Sequence, residues 1–385
     1  MLTDASRSTG KRVLRVFILT LATFAMVEAG WINNSHSAPA WSKESLIVTS
    51  NVQTGFYSVF TKLSQLGNPP IPTVFDFSPE LQLPRGIILD KSNNLWGTNC
   101  GGPSSDGSIT EFSKDQLQHL FSTDNPVPKI VIHDLGGGST LDCPKGLVFL
   151  KNNLYVASSG ATDGFPAIVE YSKDQLKVKG SSTPDPFTYF TSPVFGELGQ
   201  LQFDKKHDLW VPDLNNQAVY GWKLSALNSV AGKGGNATAP LILNPDYILK
   251  SSSFTFIESI AFDPSSGNLW AADHHNNQLY AFTPAQIIAN ASNQVPTIII
   301  DPVAITTPGG TTNSLVTPTW LSIQSNGYLW VANSHSDTFG SVAGYTAGSI
   351  KTSGSPTPAY FFDSDASGGN FNHPASLAIG MKLKF

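Results

Sequence analysis

The chain has 385 residues, 33 of them glycine and 26 proline, and is 40% hydrophobic but only 13% charged. That is enough apolar material for a large core, with many turns and too few charges for a shell of exposed helices. The formal net charge is −5, and residues 41–385 carry 19 basic against 26 acidic side chains, so composition offers no basic surplus for a nucleic-acid partner.

Residues 1–40 are predicted to be a signal peptide and short leader. Lys11, Arg12 and Arg15 precede an apolar run of 12 residues, Val16 to Val27, which is too short to span a bilayer. Cleavage after Ala29 or after Ala40 fits a small-residue site, and an uncleaved anchor is the alternative reading. The expected location is secreted or periplasmic, with no membrane span; no lipid-attachment cysteine follows the run. The two cysteines, Cys100 and Cys143, are predicted to form a disulfide in such an oxidising compartment, two unpaired thiols being the alternative.

From residue 41 onward one pattern recurs: an apolar segment, a polar turn, then a Leu-aromatic pair. The copies are GIILDKSNNLW from Gly86, GLVFLKNNLY from Gly146, LQFDKKHDLW from Leu201, SIAFDPSSGNLW from Ser259 and WLSIQSNGYLW from Trp320. Their aromatics, Trp96, Tyr155, Trp210, Trp270 and Trp330, lie 59, 55, 60 and 60 residues apart. A period that long, filled with short strands, predicts one propeller blade per repeat. The C-terminal HPASLAI from His373 matches the inner strand at Pro84 but has nothing to follow it. Leu46 to Asn51 and Ser58 to Thr61 supply the matching second and third strands from the other end of the chain. The prediction is therefore an all-β, six-bladed β-propeller with four-stranded blades, one blade shared between the termini, forming a single domain over residues 41–385.

Between the third and fourth strands the segments Phe112 to Leu117, Tyr171 to Leu176 and Phe282 to Ile287 each place Ser or Thr three residues before Gln. This capping-box spacing predicts one helical turn per blade, clamped to the sheet by the aromatic before it and the aliphatic after it. Outer strands then follow Pro128 and Pro296, as edge strands allow. Gly136 to Gly138 reads as an inter-blade connection, and Asn236 and Asn290 lie in glycosylation sequons that matter only in a eukaryote.

Each copy of "apolar strand, turn, Leu-Trp-Val-Ala-Asp, aromatic strand" resembles an NHL repeat, and residues 45–385 resemble the NHL-type and SMP-30/gluconolactonase-like six-bladed propellers. The resemblance implies the fold and a ligand face over the central channel; it does not fix chemistry, because binding modules, lactonases and lyases share the scaffold. Two rings of residues fall on that face. Three places past each second-strand aromatic stand Asn99, Ser158, Asp213, Asp273 and Asn333, with Ser50 in the split blade. They either bond the backbone of the following turn or, for Asp213, Asp273 and Asn333, converge with Glu258 on a hard cation such as Ca²⁺. At the inner-strand starts the copies disagree: Arg85, Lys145, Gly199, Glu258, Thr319 and Ala375. Glu258 facing Arg85 and Lys145 suits a polar or anionic ligand, the alternative being solvated channel charges. His274, His275, His335 and His373 are expected to crowd the same side, where an imidazole serves as base or metal ligand.

The leading expectation is a secreted binding module that takes a protein, glycan or small-molecule ligand through this face. It is expected to be a monomer without a cofactor. The alternative is a divalent-metal-dependent hydrolase or lyase resembling the SMP-30 or virginiamycin-lyase groups, with Glu258 as metal ligand or base and Ca²⁺ as the cofactor. The lactonase pattern places acidic and Asn residues at several inner-strand starts; here only Glu258 does so, and Arg85 and Lys145 put positive charge beside it. Nucleophile-elbow, His-Glu-x-x-His and phosphate-loop motifs are absent.

Overall fold

A computed structural model describes residues 45–50, 56–60, 74–77, 80–101, 107–118, 127–133, 140–159, 166–236, 238–307, 310–334, 340–363 and 373–381. The chain divides into two compact units, 1–39 and 40–385, and every described residue belongs to the second. The predicted signal peptide, the Gly136 to Gly138 connection and His335 lie outside the described residues. No described helix is long and apolar enough to cross a membrane.

Among the described residues the strands form six sheets of four or five strands and one two-stranded hairpin. The closing sheet joins the two ends of the chain. Its C-terminal strand Pro374–Met381 pairs antiparallel with Ser45–Ser50, placing Leu46 opposite Ile379 and Val48 opposite Leu377. Phe56–Phe60 and Val74–Phe77 complete it. The second sheet runs outward through Pro84–Leu89, Leu95–Asn99, Ser108–Phe112 and Ile130–His133, and the third through Pro144–Leu150, Asn153–Ser158, Ala167–Tyr171 and Thr188–Thr191. The fourth contains Gln202–Phe203, Leu209–Asp213, Ala218–Trp222 and Tyr247–Lys250; the fifth, Ile257–Phe262, Leu269–Asp273, Gln278–Phe282 and Ile298–Ile300; the sixth, Pro318–Ile323, Leu329–Ser334, Gly340–Tyr345 and Tyr360–Asp363.

Two sheets depart from the four-stranded expectation. Gly180–Ser182, from the third sheet's last connection, pairs parallel with Ile130–His133 of the second, and Leu241–Ile242, from the fourth, pairs parallel with Thr188–Thr191 of the third. A single parallel bridge, Ile300 with Gly354, does the same between the fifth and sixth sheets. Each connection thus covers the open outer edge of the sheet before it, where unpaired backbone groups would otherwise invite association.

The core lies between sheets rather than within one. Second strands are buried on both faces, as in Leu95–Asn99 and Leu269–Asp273, because each sheet packs on two neighbours. Six buried clusters link successive sheets: Ile47 with Ile87, Trp96 with Val156, Val148 with Trp222, Trp210 with Ile260, Trp270 with Leu321, and Trp330 with Leu377. This cycle of face-packed sheets is a β-propeller. The repeat tryptophans sit at these interfaces, and three have their indole N–H satisfied locally: Trp96 Nε1 donates to Asp90 (3.2 Å), Trp210 Nε1 to Asp204 (3.3 Å) and Trp330 Nε1 to Gln324 (3.0 Å).

The predicted helical turns form. Ser113, Ser172 and Thr283 accept from the backbone N–H of Gln116, Gln175 and Gln286, and each Gln side chain accepts in return. Phe112, Leu117, Tyr171, Leu176, Phe282 and Ile287 are all buried. The predicted disulfide between Cys100 and Cys143 is present, joining the end of a second-sheet strand to the start of the third sheet.

Candidate functional site

The side chains at the inner-strand starts reach the channel because the strands bulge there. Leu83, Cys143, Thr317 and His373 have φ of 50°, 47°, 46° and 46°. Each precedes a proline, a position that normally favours extended backbone. Pairing with the second strand then slips between Pro84 and Ile87, Pro144 and Gly146, Ile257 and Ser259, and Pro318 and Trp320, and again between Thr49 and Ser50 opposite Pro374. The skipped residues are Arg85, Lys145, Glu258, Thr319 and Ala375, and a bulge re-aims the side chain it frees.

These five and Gly199 line one cavity of about 290 Å³, shared with Gln200, Phe256, His274, Trp320 and Ser334. Gly199 is there for packing, since a Cβ would come within 2.1 Å of the Glu258 carbonyl oxygen. Arg85 brings a guanidinium whose Nε is buried without a hydrogen-bond partner among the described residues. Lys145 is committed to Glu197, 2.5 Å away. Glu258, its side chain 16% exposed, has Oε2 3.2 Å from His274 Nδ1. Burial pushes the Glu258 carboxyl up, but the His274 hydrogen bond and the charges of Lys145 and Arg85 outweigh it, so the group is held below its ordinary value and stays ionised.

Gln200 and Trp320 form the floor, since both also line the apolar cavity beneath, among Ile87, Leu147 and Leu377. Gln200 Nε2 donates across the channel to the Leu321 carbonyl (3.1 Å), while its Oε1 is buried without a partner. The histidines separate in role. His274 lines the cavity; His275 stacks on Phe256 at 4.6 Å between centroids; His373 meets Ser334, a lining residue, at 3.3 Å.

The uniform ring does what short polar side chains do at turns. Asp213 accepts from the backbone N–H of Gly196, Glu197 and Asn216, and Asp273 from Thr255, His275 and Asn276. Asn333 donates to the Ser314 carbonyl and the Ser341 hydroxyl, Ser158 accepts from Asp142, and Asn99 donates to Ser108. All are buried. A hard cation needs several oxygens free of other donors. Asp213 and Asp273 have both carboxylate oxygens taken by donors of the following turn and of the connection before the inner strand, and Glu258 is held by His274, Lys145 and Arg85. The set Glu258, Asp213, Asp273 and Asn333 therefore does not fit a divalent metal. Among the described residues no three His, Cys, Asp or Glu side chains are grouped to hold one.

Gln200, Phe256, Trp320, Ser334 and Glu197 were not singled out by sequence reasoning. Gln200 and Trp320 sit one place after ring positions and Ser334 one place after Asn333, so the repeat register carries a signal for them; Glu197 and Phe256 fall in connections that differ between repeats.

A cavity at the channel mouth, built from bulged inner strands and lined by unlike charges, sits on a β-propeller. Comparison with solved structures agrees on the fold. A Bacteroides caccae protein of unknown function matches with a TM-score of 0.53 and 12% identity, covering 87% of this chain and 98% of that one. A chain of the nidogen/laminin complex matches at 0.50 and 12%, covering 89% and 100%. A 6-phosphogluconolactonase-like protein of Bacteroides fragilis matches at 0.50 and 13%, covering 90% and 100%. At 12–13% identity the likeness is one of fold alone. No protein-family model matches the chain, and no curated protein does.

Proposed function

We propose that this chain is a secreted, monomeric, six-bladed NHL-like propeller that binds a small anionic ligand at its channel mouth. The six large sheets are read as its blades, and the Cys100–Cys143 disulfide suits the oxidising compartment to which a signal peptide over residues 1–40 would deliver it. The observation that carries the reading is Arg85, whose buried Nε has no partner while it lines a cavity closed below by Gln200 and Trp320. A carboxylate or phosphate oxygen placed there would gain charge-assisted hydrogen bonds from the guanidinium. Glu258, His274 and the unpartnered Gln200 Oε1 would take hydroxyl groups, and Phe256 and Trp320 would supply apolar walls. The cavity is at the small end for ligand sites, which limits the ligand to a compact molecule.

A second reading, a hydrolase or lyase, is favoured by the contact between His274 Nδ1 and Glu258 Oε2, an arrangement able to hold and move a proton. Thermal unfolding of the purified protein with D-gluconate, citrate or inorganic phosphate separates the two. Under the first reading at least one anion raises the midpoint, adding about 2.7 kcal/mol to stability at 100 times its dissociation constant. Arg85→Gln loses the rise, and glucono-δ-lactone is not turned over. Lactone turnover that disappears in Glu258→Gln would establish the second reading. A rise with Ca²⁺ reversed by EDTA would return a metal to the site.

A further inference from the structure

A second cavity opens at the other end of the second and third sheets. Arg85 is the second residue of the strand Pro84–Leu89; Asp90 and Lys91 follow its far end and line this groove of about 680 Å³. Its rim carries Lys91, Lys129, Lys151, Lys173, Lys177 and Lys179, out of 23 Lys and Arg in a chain of net charge −5. They converge from two sheets: Lys91 and Lys151 from the turns between first and second strands, Lys129 beside the second sheet's outer strand, and the rest from the third sheet's helical turn and the segment after it. Lys129 pairs with Glu111 at 3.4 Å, and Lys177 with exposed Asp174. The other four have no carboxylate within ion-pair distance among the described residues. So concentrated a positive field in a concave site draws an anion.

A second observation points to what else the ligand carries. Glu111 lies in the same groove with its side chain 2% exposed, and its Oε2 is buried with no hydrogen-bond partner among the described residues. Burial pushes its pKa up even with Lys129 beside it, as expected for a buried acceptor that lacks a donor. Trp96 and Phe149, edge to face at 5.8 Å, form an apolar floor beside it. Lysines at the rim, a carboxylate without a donor and an aromatic floor match a sugar ring bearing acid groups: acids to the lysines, a hydroxyl to Glu111 Oε2, and the C–H face over Phe149.

We propose that the groove between the second and third sheets binds an acidic oligosaccharide, independently of the channel mouth. Calorimetric titration of tetragalacturonate into the purified protein at low salt tests it, with maltotetraose and tripolyphosphate as controls. Saturable tetragalacturonate binding is expected, weakened at least tenfold by the double substitution Lys151→Glu and Lys179→Glu, weakened by Glu111→Gln, and unchanged by Arg85→Gln. Both lysines are exposed, so an unchanged unfolding midpoint in the double variant verifies its fold. Three results would overturn the proposal: no saturable binding, binding indifferent to the lysine substitutions, or tripolyphosphate binding as tightly as the saccharide. Loss of binding in Arg85→Gln would move the ligand to the channel mouth and overturn it as well.

Discussion

Glu258 shows how one position in a repeat carries a side chain its copies lack. The bulge that frees it also frees Arg85, Lys145, Thr319 and Ala375, so the backbone treats five sheets alike while the side chains differ. That contrast was legible in the aligned copies, because register alone fixes which residue meets the channel. The uniform ring was legible too, in its turn-bonding alternative, since Asp213 accepts from the backbone N–H of Asn216 and Asp273 from those of His275 and Asn276, in the turns that follow them. Glu197, which neutralises Lys145, was not, because nothing in the other repeats corresponds to it. The ionised state of Glu258 has a testable consequence. A carboxyl depressed by folding adds stability that is complete above its unfolded value and is lost as pH falls below about 4.5, the ordinary value, through the folded one. Between pH 6 and pH 3 the unfolding midpoint of the native protein should therefore fall more steeply than that of Glu258→Gln. Parallel curves would mean that His274, Lys145 and Arg85 do not hold the carboxylate.

Among elements, the helical turns were the most readable, because a capping box is local chemistry. What spacing did not reveal is that each Gln also ties the turn to the chain entering the outer strand: Gln116 Nε2 donates to the Val127 carbonyl, Gln175 Nε2 to Asp185 and Gln286 Nε2 to Val295. Gln286 adds a contact with the Thr297 hydroxyl at 2.8 Å. Gln286→Ala removes the return half of the box and this tie together, an expected loss of roughly 1–2 kcal/mol. Chemical denaturation would read it as a lower midpoint with an unchanged slope, and a midpoint equal to the native one would reduce the clamp to decoration. The parallel strands Gly180–Ser182 and Leu241–Ile242 were invisible for the opposite reason. They are short, exposed or half-buried segments defined only by a partner in the preceding sheet.

At the scale of the whole molecule, the tryptophan period made the propeller readable, since each repeat aromatic marks one interface between sheets. Charge distribution was not readable. Composition showed no basic surplus for a nucleic-acid partner, yet two neighbouring sheets gather six lysines around one groove, because a net charge averages over faces that the fold separates. The two ends of the strand Pro84–Leu89 thus open on different cavities: an arginine in a small mixed-charge cavity at one, a lysine-rimmed groove at the other. The central claim concerns the first of these. Calorimetric titration of D-gluconate, citrate and inorganic phosphate into the native protein and into Arg85→Gln tests it most directly. At least one of the three should bind the native protein saturably at one site, with affinity at least tenfold lower in the variant. Failure of all three to bind, or equal affinity in both proteins, would contradict it.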